Sequence, residues 1–213
     1  MIRAVECPGH AMAHYLYEAI SGEYERRSRR PMPRYEIHGH AIVSEDDCIA
    51  EPDGAMPPAL RNDADWRRFQ HELDKAALQV VGRFSHETFP NRAGRRRMVV
   101  SSQVDGVELR NDVWWWNPGE ASLGEALKKA APDGGLIAVP GGRRVNDLFL
   151  SLGFDAFHLA RHAGVRIPGG IPVFSRAWAA GSAERLLASH GLHPTPPVIL
   201  DPEASVSVTV WVR

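Results

Sequence analysis

With 213 residues, a formal net charge of −1 and 44% hydrophobic content, the chain can bury a full core and needs neither disulfides nor a structural metal. Near-neutral charge argues against a broad nucleic-acid surface, and two cysteines, Cys7 and Cys48, are too few for a secreted disulfide scaffold. No run reaches the roughly 20 apolar residues of a membrane span, and Glu6 and His10 interrupt what a signal peptide would keep apolar, so a soluble, cytoplasmic protein is expected.

Residues 1–35 read as an N-terminal arm. Met12, Leu16, Ala19 and Ile20 share one side of a helix over 11–26, and "RSRRPMPR" follows as a basic linker, because Pro31 and Pro33 lack the donor a helix needs. Residues 36–213 read as the main domain. "YEIHGHAIVS" predicts a short strand ended by the acidic turn "EDD". After the proline-broken "GAMPPALRND", Trp66, Phe69, Leu73 and Ala77 recur at helical spacing, and that helix leads into the buried strand "LQVVGR". The alternation repeats: strand "RRMVVSS", helix "SLGEALKKAAPDGG", strand "LIAVPGG", helix "VNDLFLSLG", strand "FDAFHLARHAGV". In the tail, Val206, Val208, Val210 and Val212 alternate with other residues, the pattern of an antiparallel strand with one buried face. This order predicts an α/β fold of three layers, a mainly parallel sheet covered on both faces and closed by a C-terminal antiparallel hairpin.

In sheets of this kind ligands bind past the carboxyl ends of the strands, which here read "VVGR", "VVSS" and "AVPGG". Glycines there let backbone approach a ligand, and Arg83, Arg143 and Arg144 can pair with phosphate near helix N-termini. Taken singly, "GG" is more often a turn and "SS" a cap. Neither GxGxxG nor GxxxxGK[ST] occurs.

Together "AMPPALRND", "VVGRFSHETF", "RRMVVSSQ" and "VPGGRRVNDLFL" resemble the dihydrofolate reductase family and its relatives, the pyrimidine reductases of riboflavin synthesis. The later "FDAFHLARHAGVRIPGGIPVF" is closer to the riboflavin branch. The resemblance implies an oxidoreductase that uses NADPH to reduce a pterin such as dihydrofolate. The alternatives are a ribosylated aminopyrimidine as substrate, or a non-reductive binding module on the same fold. It places Asp63 as the carboxylate that binds and helps protonate the heterocycle, at the start of the first helix and below the loop "EPDGAMPPA". An Asp before an amphipathic helix is also an N-cap, a role that Asn62 could take instead. For the cofactor the resemblance implies Met56 closing on the nicotinamide and Gly82 and Arg83 at the pyrophosphate. It sets Ser101 and Ser102 near the adenosine phosphate, makes Gly141 and Gly142 a pair joined by a cis peptide, and gives Arg144 the choice of NADPH over NADH.

The chain departs from the folate pattern at Pro58, where tryptophan is usual, at Ala160, where a threonine bonds the acid, and at Pro140 and Arg143 around the glycines. Two competing constellations remain. Cys7, His10 and His14, with His38 and His40, could form a zinc tetrad, although ordinary surface histidines are the preferred reading and no metal is expected. "VWWW" at 113–116 reads as sheet packing, with Trp114 and Trp116 on one face and Trp115 on the other, in preference to a base-stacking platform. The arm could cover a sheet edge or swap onto a second subunit in a homodimer.

Overall fold

Ten consecutive residues, Tyr35–Ser44, form the long central strand β1 of a computed structural model that describes residues 33–213. The helix read at 11–26, Pro31 of the linker and the Cys7, His10 and His14 group lie outside those residues. Arg34–Arg213 make one compact unit. After β1 come β2 (Cys48–Ala50), a 3-10 turn (Pro58–Leu60), α1 (Asp63–Lys75), β3 (Leu78–Gly82), α2 (Arg83–Thr88) and β4 (Arg97–Val100). The hairpin β5 (Val107–Arg110) and β6 (Val113–Trp116) leads to α3 (Leu123–Ala130), β7 (Gly135–Gly141), α4 (Arg143–Leu152) and β8 (Ala156–His162). The chain ends with β9 (Ile171–Pro172), α5 (Ala177–Ala180), α6 (Ala183–Ser189), β10 (His193–Pro194), β11 (Val198–Asp201) and β12 (Val206–Val212).

One ten-stranded sheet has the order β10-β12-β8-β1-β7-β3-β4-β6-β5, with β11 also paired to β12. Its centre is parallel, from β8 through β1, β7, β3 and β4 to β6, while β12 runs antiparallel to β8 and β5 to β6. The predicted α/β architecture therefore holds, with an antiparallel strand at each edge. It is the dihydrofolate reductase-like arrangement, a mostly parallel sheet between helices.

Strand alternation divides the side chains between the two faces. On one face Ile37, Val43, Phe157, Leu159, Ile137 and Val139 join Phe149 of α4 and Leu127 of α3 in the main core. Gly39 leaves the room this core needs: a Cβ there would lie 2.2 Å from the Phe157 ring. Phe154 stands edge-on to Phe157, with ring centroids 5.1 Å apart. The tryptophan run alternates as expected. Trp116 packs against Phe149 and donates its indole N–H to Ala121, whereas Trp115 turns to the other face and meets His86 of α2.

The second face, under α1, is polar. His38 and His40 from β1 and His158 from β8 point there, with His40 and His158 opposite each other in register and their rings stacked at 4.4 Å. Burial and the neighbouring histidines push His40 down to about 2, and burial with the Arg68 guanidinium pushes His158 down to about 4. Both are neutral in the fold and protonate readily once it opens. Their contribution is complete above an ordinary histidine pKa of 6.5 and is lost as pH falls below it. Asp65, raised to about 6, works in the opposite direction between that pH and its ordinary 3.8. Two histidines outweigh one carboxyl, so unfolding free energy should fall by on the order of 2 kcal/mol between pH 7 and pH 5. Urea denaturation of the native chain and of His158→Gln at both pH values tests this, and the variant should lose less; an equal loss would remove the histidines as the cause.

Candidate active site

The carboxyl ends of β3 and β7 lie side by side, Val81 being paired with Gly141, and β4 lies beyond, with Gly82 opposite Val100. At those ends two helices start without side-chain caps, α2 at Gly82 and α4 at Gly142; in α4 the Val145 and Asn146 N–H groups return to the Gly142 carbonyl, which leaves those of Arg143 and Arg144 to face a ligand. Gly141 and Gly142 both take positive φ, 87° and 32°, a geometry that suits glycine. The peptide between them is trans, since the described residues contain no cis bond. The expected cis pair is thus replaced by two residues of left-handed backbone, which also turn the chain into the helix.

Close approach explains the remaining glycine. A Cβ on Gly82 would meet Val145 at 3.2 Å, and one on Gly141 would sit 2.9 Å from both side-chain polar atoms of Asn146. Asn146 is buried, donates its amide N–H to the Val173 carbonyl and leaves its Oδ1 without a partner. Sequence reading passed over Asn146, because an asparagine inside an amphipathic helix carries no signal of what its side chain will meet. Bare glycine backbone and the first N–H groups of α4 leave an opening of the kind a phosphate can approach, while the Asn146 Oδ1 is buried from solvent.

The other expected cofactor residues are distributed unevenly. Arg83 is exposed and pairs with Glu87 at 3.1 Å. Ser101 is buried at the end of β4, where its hydroxyl accepts from the Gln103 N–H, and Ser102 is exposed. Arg144 is exposed and Arg143 half-buried in the first turn of α4. Met56 packs against Cys48, Leu60 and Ile167, a small apolar cluster of its own. The loop that carries Met56 nevertheless reaches α2, since a Cβ on Gly54 would lie 3.6 Å from the Phe84 ring.

The two carboxyls in the first turn of α1 differ in their surroundings. Asn62 is the N-cap of α1, its Oδ1 accepting from the N–H groups of Ala64 and Asp65 at 3.0 and 3.1 Å, and its amide donates to Asp201. That capping leaves Asp63 exposed at the first helical position, with no hydrogen bond or ion pair to the described residues. The carboxyl with a site-like environment is Asp65, two residues on, which burial raises to about 6 against the opposing pull of Arg68. Asp65 is followed at i+4 by Phe69, whose ring contacts His40 on the sheet, so the helix face bearing Asp65 looks toward the strands. Trp66, expected among the packed positions, is instead 58% exposed and touches only the edge of that layer through Phe69. α1 packs over β7, the strand that delivers Gly141.

No protein-family model matches the chain. No curated protein matches it either. Among solved structures it is similar to one described as a riboflavin biosynthesis protein from Shewanella sp. PV-4, with TM-score 0.58 and 15% identity over 84% of this chain and 98% of that one. It is also similar to dihydrofolate reductase from Enterococcus faecalis complexed with NADP(H) and RAB-propyl, with TM-score 0.57 and 16% identity over 84% of this chain and 96% of that one. A third is a diaminohydroxyphosphoribosylaminopyrimidine deaminase/5-amino-6-(5-phosphoribosylamino)uracil reductase from Thermotoga maritima, with TM-score 0.58 and 14% identity over 84% of this chain. The chain spans 56% of that longer protein. What this chain shares with all three is the dihydrofolate reductase-like fold.

Proposed function

We propose that the chain is an NADPH-dependent reductase of a heterocycle containing an aminopyrimidine ring, the part common to a dihydropterin and a ribosylated aminopyrimidine. The observation that supports this reading is the Gly141–Gly142 turn, which leads into uncapped helix N-termini at the end of β7, a strand on which α1 packs. Gly82, Gly141 and Gly142 would receive the pyrophosphate and nicotinamide, Arg83 and Arg144 the phosphates, and Ser101 and Ser102 the adenosine end. Met56 would have to leave its cluster with Cys48, Leu60 and Ile167 to close over them. Bound NADPH would supply the hydride. Asp65 would pair with the amino-pyrimidine edge and, held near neutrality by burial, deliver a proton to the adjacent ring nitrogen.

A specific observation favours the ribosylated pyrimidine over the folate pterin. Ala160, opposite Ile42 and Val208 in the sheet, is a buried methyl where the folate pattern bonds a threonine hydroxyl to its acid. Pro58, itself exposed, begins a 3-10 turn where that pattern has tryptophan. Both changes remove polar groups that a pterin would use.

Melting the protein with NADPH or NADH tests the cofactor. At a hundredfold excess over Kd, binding adds about 2.7 kcal/mol, roughly 5–10 °C for a domain of this size. Arg144→Ala should weaken NADPH more than NADH, by about tenfold, since one charge-assisted pair to the 2′-phosphate is lost. Equal losses would remove Arg144 from that role. No shift with either nucleotide at millimolar concentration would favour a binding module unconnected with nicotinamide.

A further inference from the structure

Arg68 stands one helical turn after Asp65, the i,i+3 spacing at which opposite charges on a helix ordinarily pair. Here they do not: the Arg68 guanidinium donates instead across to the sheet, to His158 Nδ1 at 2.9 Å. His158 Nε2 lies 3.3 Å from His38 Nδ1, and His38 Nε2 lies 2.8 Å from the carboxylate of Glu36. One set of tautomers satisfies every link. An arginine can only donate, so His158 accepts at Nδ1 and carries its proton on Nε2, His38 does the same, and the Glu36 carboxylate accepts at the end. The stacked ring of His40 fixes the plane of His158 from behind.

We propose that the chain Arg68–His158–His38–Glu36 is a positioning device that holds the guanidinium on the sheet and off Asp65, so that the carboxyl stays unpaired and able to give a proton to substrate. The inference rests on the reading of Asp65 as the acid of the proposed reductase. Two groups could replace this geometry, and both are engaged elsewhere: Glu72 on α1 is bonded to Lys75 at 2.9 Å, and His40 from β1 is neutral and offers no charge. The raised Asp65 carboxyl agrees with a cation that is near but not paired, because burial there outweighs Arg68. Asp65 would be the catalytic residue; Arg68, His158, His38 and Glu36 act through it.

The test follows the carboxyl itself. In cofactor-free, full-length protein carrying 13C at the aspartate carboxyls, the Asp65 resonance is assigned by its loss in Asp65→Asn and titrated through the acid range. The native chain should show a midpoint near 6. His158→Leu frees Arg68 to close on Asp65, and the midpoint should fall by about two units. His158→Gln, whose side-chain oxygen can still accept from Arg68, should restore the native value. The double variant His158→Leu/Arg68→Gln should show no fall, which a merely structural role for His158 would not produce. Should near-UV circular dichroism show that His158→Leu has lost its fold, His38→Leu interrupts the chain one link further out and should lower the midpoint in the same direction. An ordinary midpoint in the native chain, an unchanged one in both leucine variants, or a fall that persists in the double variant would overturn the proposal. Those results would leave the NADPH reading standing, whereas failure of NADPH to bind would leave this titration unaffected.

Discussion

Asp65→Asn should slow turnover by about 100- to 10,000-fold with a substrate that arrives unprotonated, while NADPH affinity changes by no more than a few-fold. The amide keeps the shape of the carboxyl and can still hydrogen-bond, but it has no proton to deliver. Asp63→Asn is the matched control. Asp63 is exposed at the first position of α1 and the cap of that helix is Asn62, so its removal should alter stability by no more than about 0.5 kcal/mol and leave turnover near native. Steady-state kinetics of the two variants decide between the carboxyls. A slow Asp63→Asn beside a normal Asp65→Asn would return the role to the position the sequence pattern first suggested.

The largest effect on stability is expected at Asp47. This residue is buried with φ of 66°, and its carboxylate and carbonyl together reach three other parts of the fold. One oxygen accepts from Arg161 of β8 at 2.6 Å and the other from the Ala183 N–H at the start of α6, while its carbonyl accepts from Val173. Arg161 is shared with Glu184 and with the carbonyls of Ser44 and Glu45. Asp47→Ala would leave that guanidinium with Glu184 and the two carbonyls, strip the Ala183 N–H of its acceptor and place an alanine in left-handed backbone, costing about 2–4 kcal/mol. Against a typical domain stability of about 5–15 kcal/mol, that is a large share. The urea midpoint should fall accordingly with an unchanged m-value. A loss below about 1 kcal/mol would show that the network contributes little beyond solvation of its charges.

Much of the architecture was legible because it is written locally. Apolar strands that stop at glycine gave β3 and β7, and alternation in 113–116 put Trp116 inside and Trp115 on the other face. The acidic turn after β1 was legible as a turn. Its function as a clamp was not, because Arg161 lies 114 residues from Asp47. The same limit hid the polar layer: His38 and His40 could be read only as neighbours of each other, whereas their partner His158 arrives by strand register 118 residues after His40. The site residues divide in the same way. Gly82, Gly141 and Gly142 converge because backbone pairing brings them together, but the choice between Asp63 and Asp65 depends on which asparagine or aspartate caps the helix. That is a matter of one residue's rotation, set here by Asn62 bonding to Asp201. Met56 was expected to face the cofactor from its loop alone, and the cluster of Cys48, Leu60 and Ile167 that holds it is assembled from three separate segments.

The measurement that bears most directly on the account is a crystal structure of the protein with NADPH. The account predicts the pyrophosphate on the N-termini of α2 and α4, and the nicotinamide against Gly141 and Gly142, with one face open toward Asp65. A nicotinamide bound elsewhere, or one whose open face is separated from Asp65 by packed side chains, would contradict it.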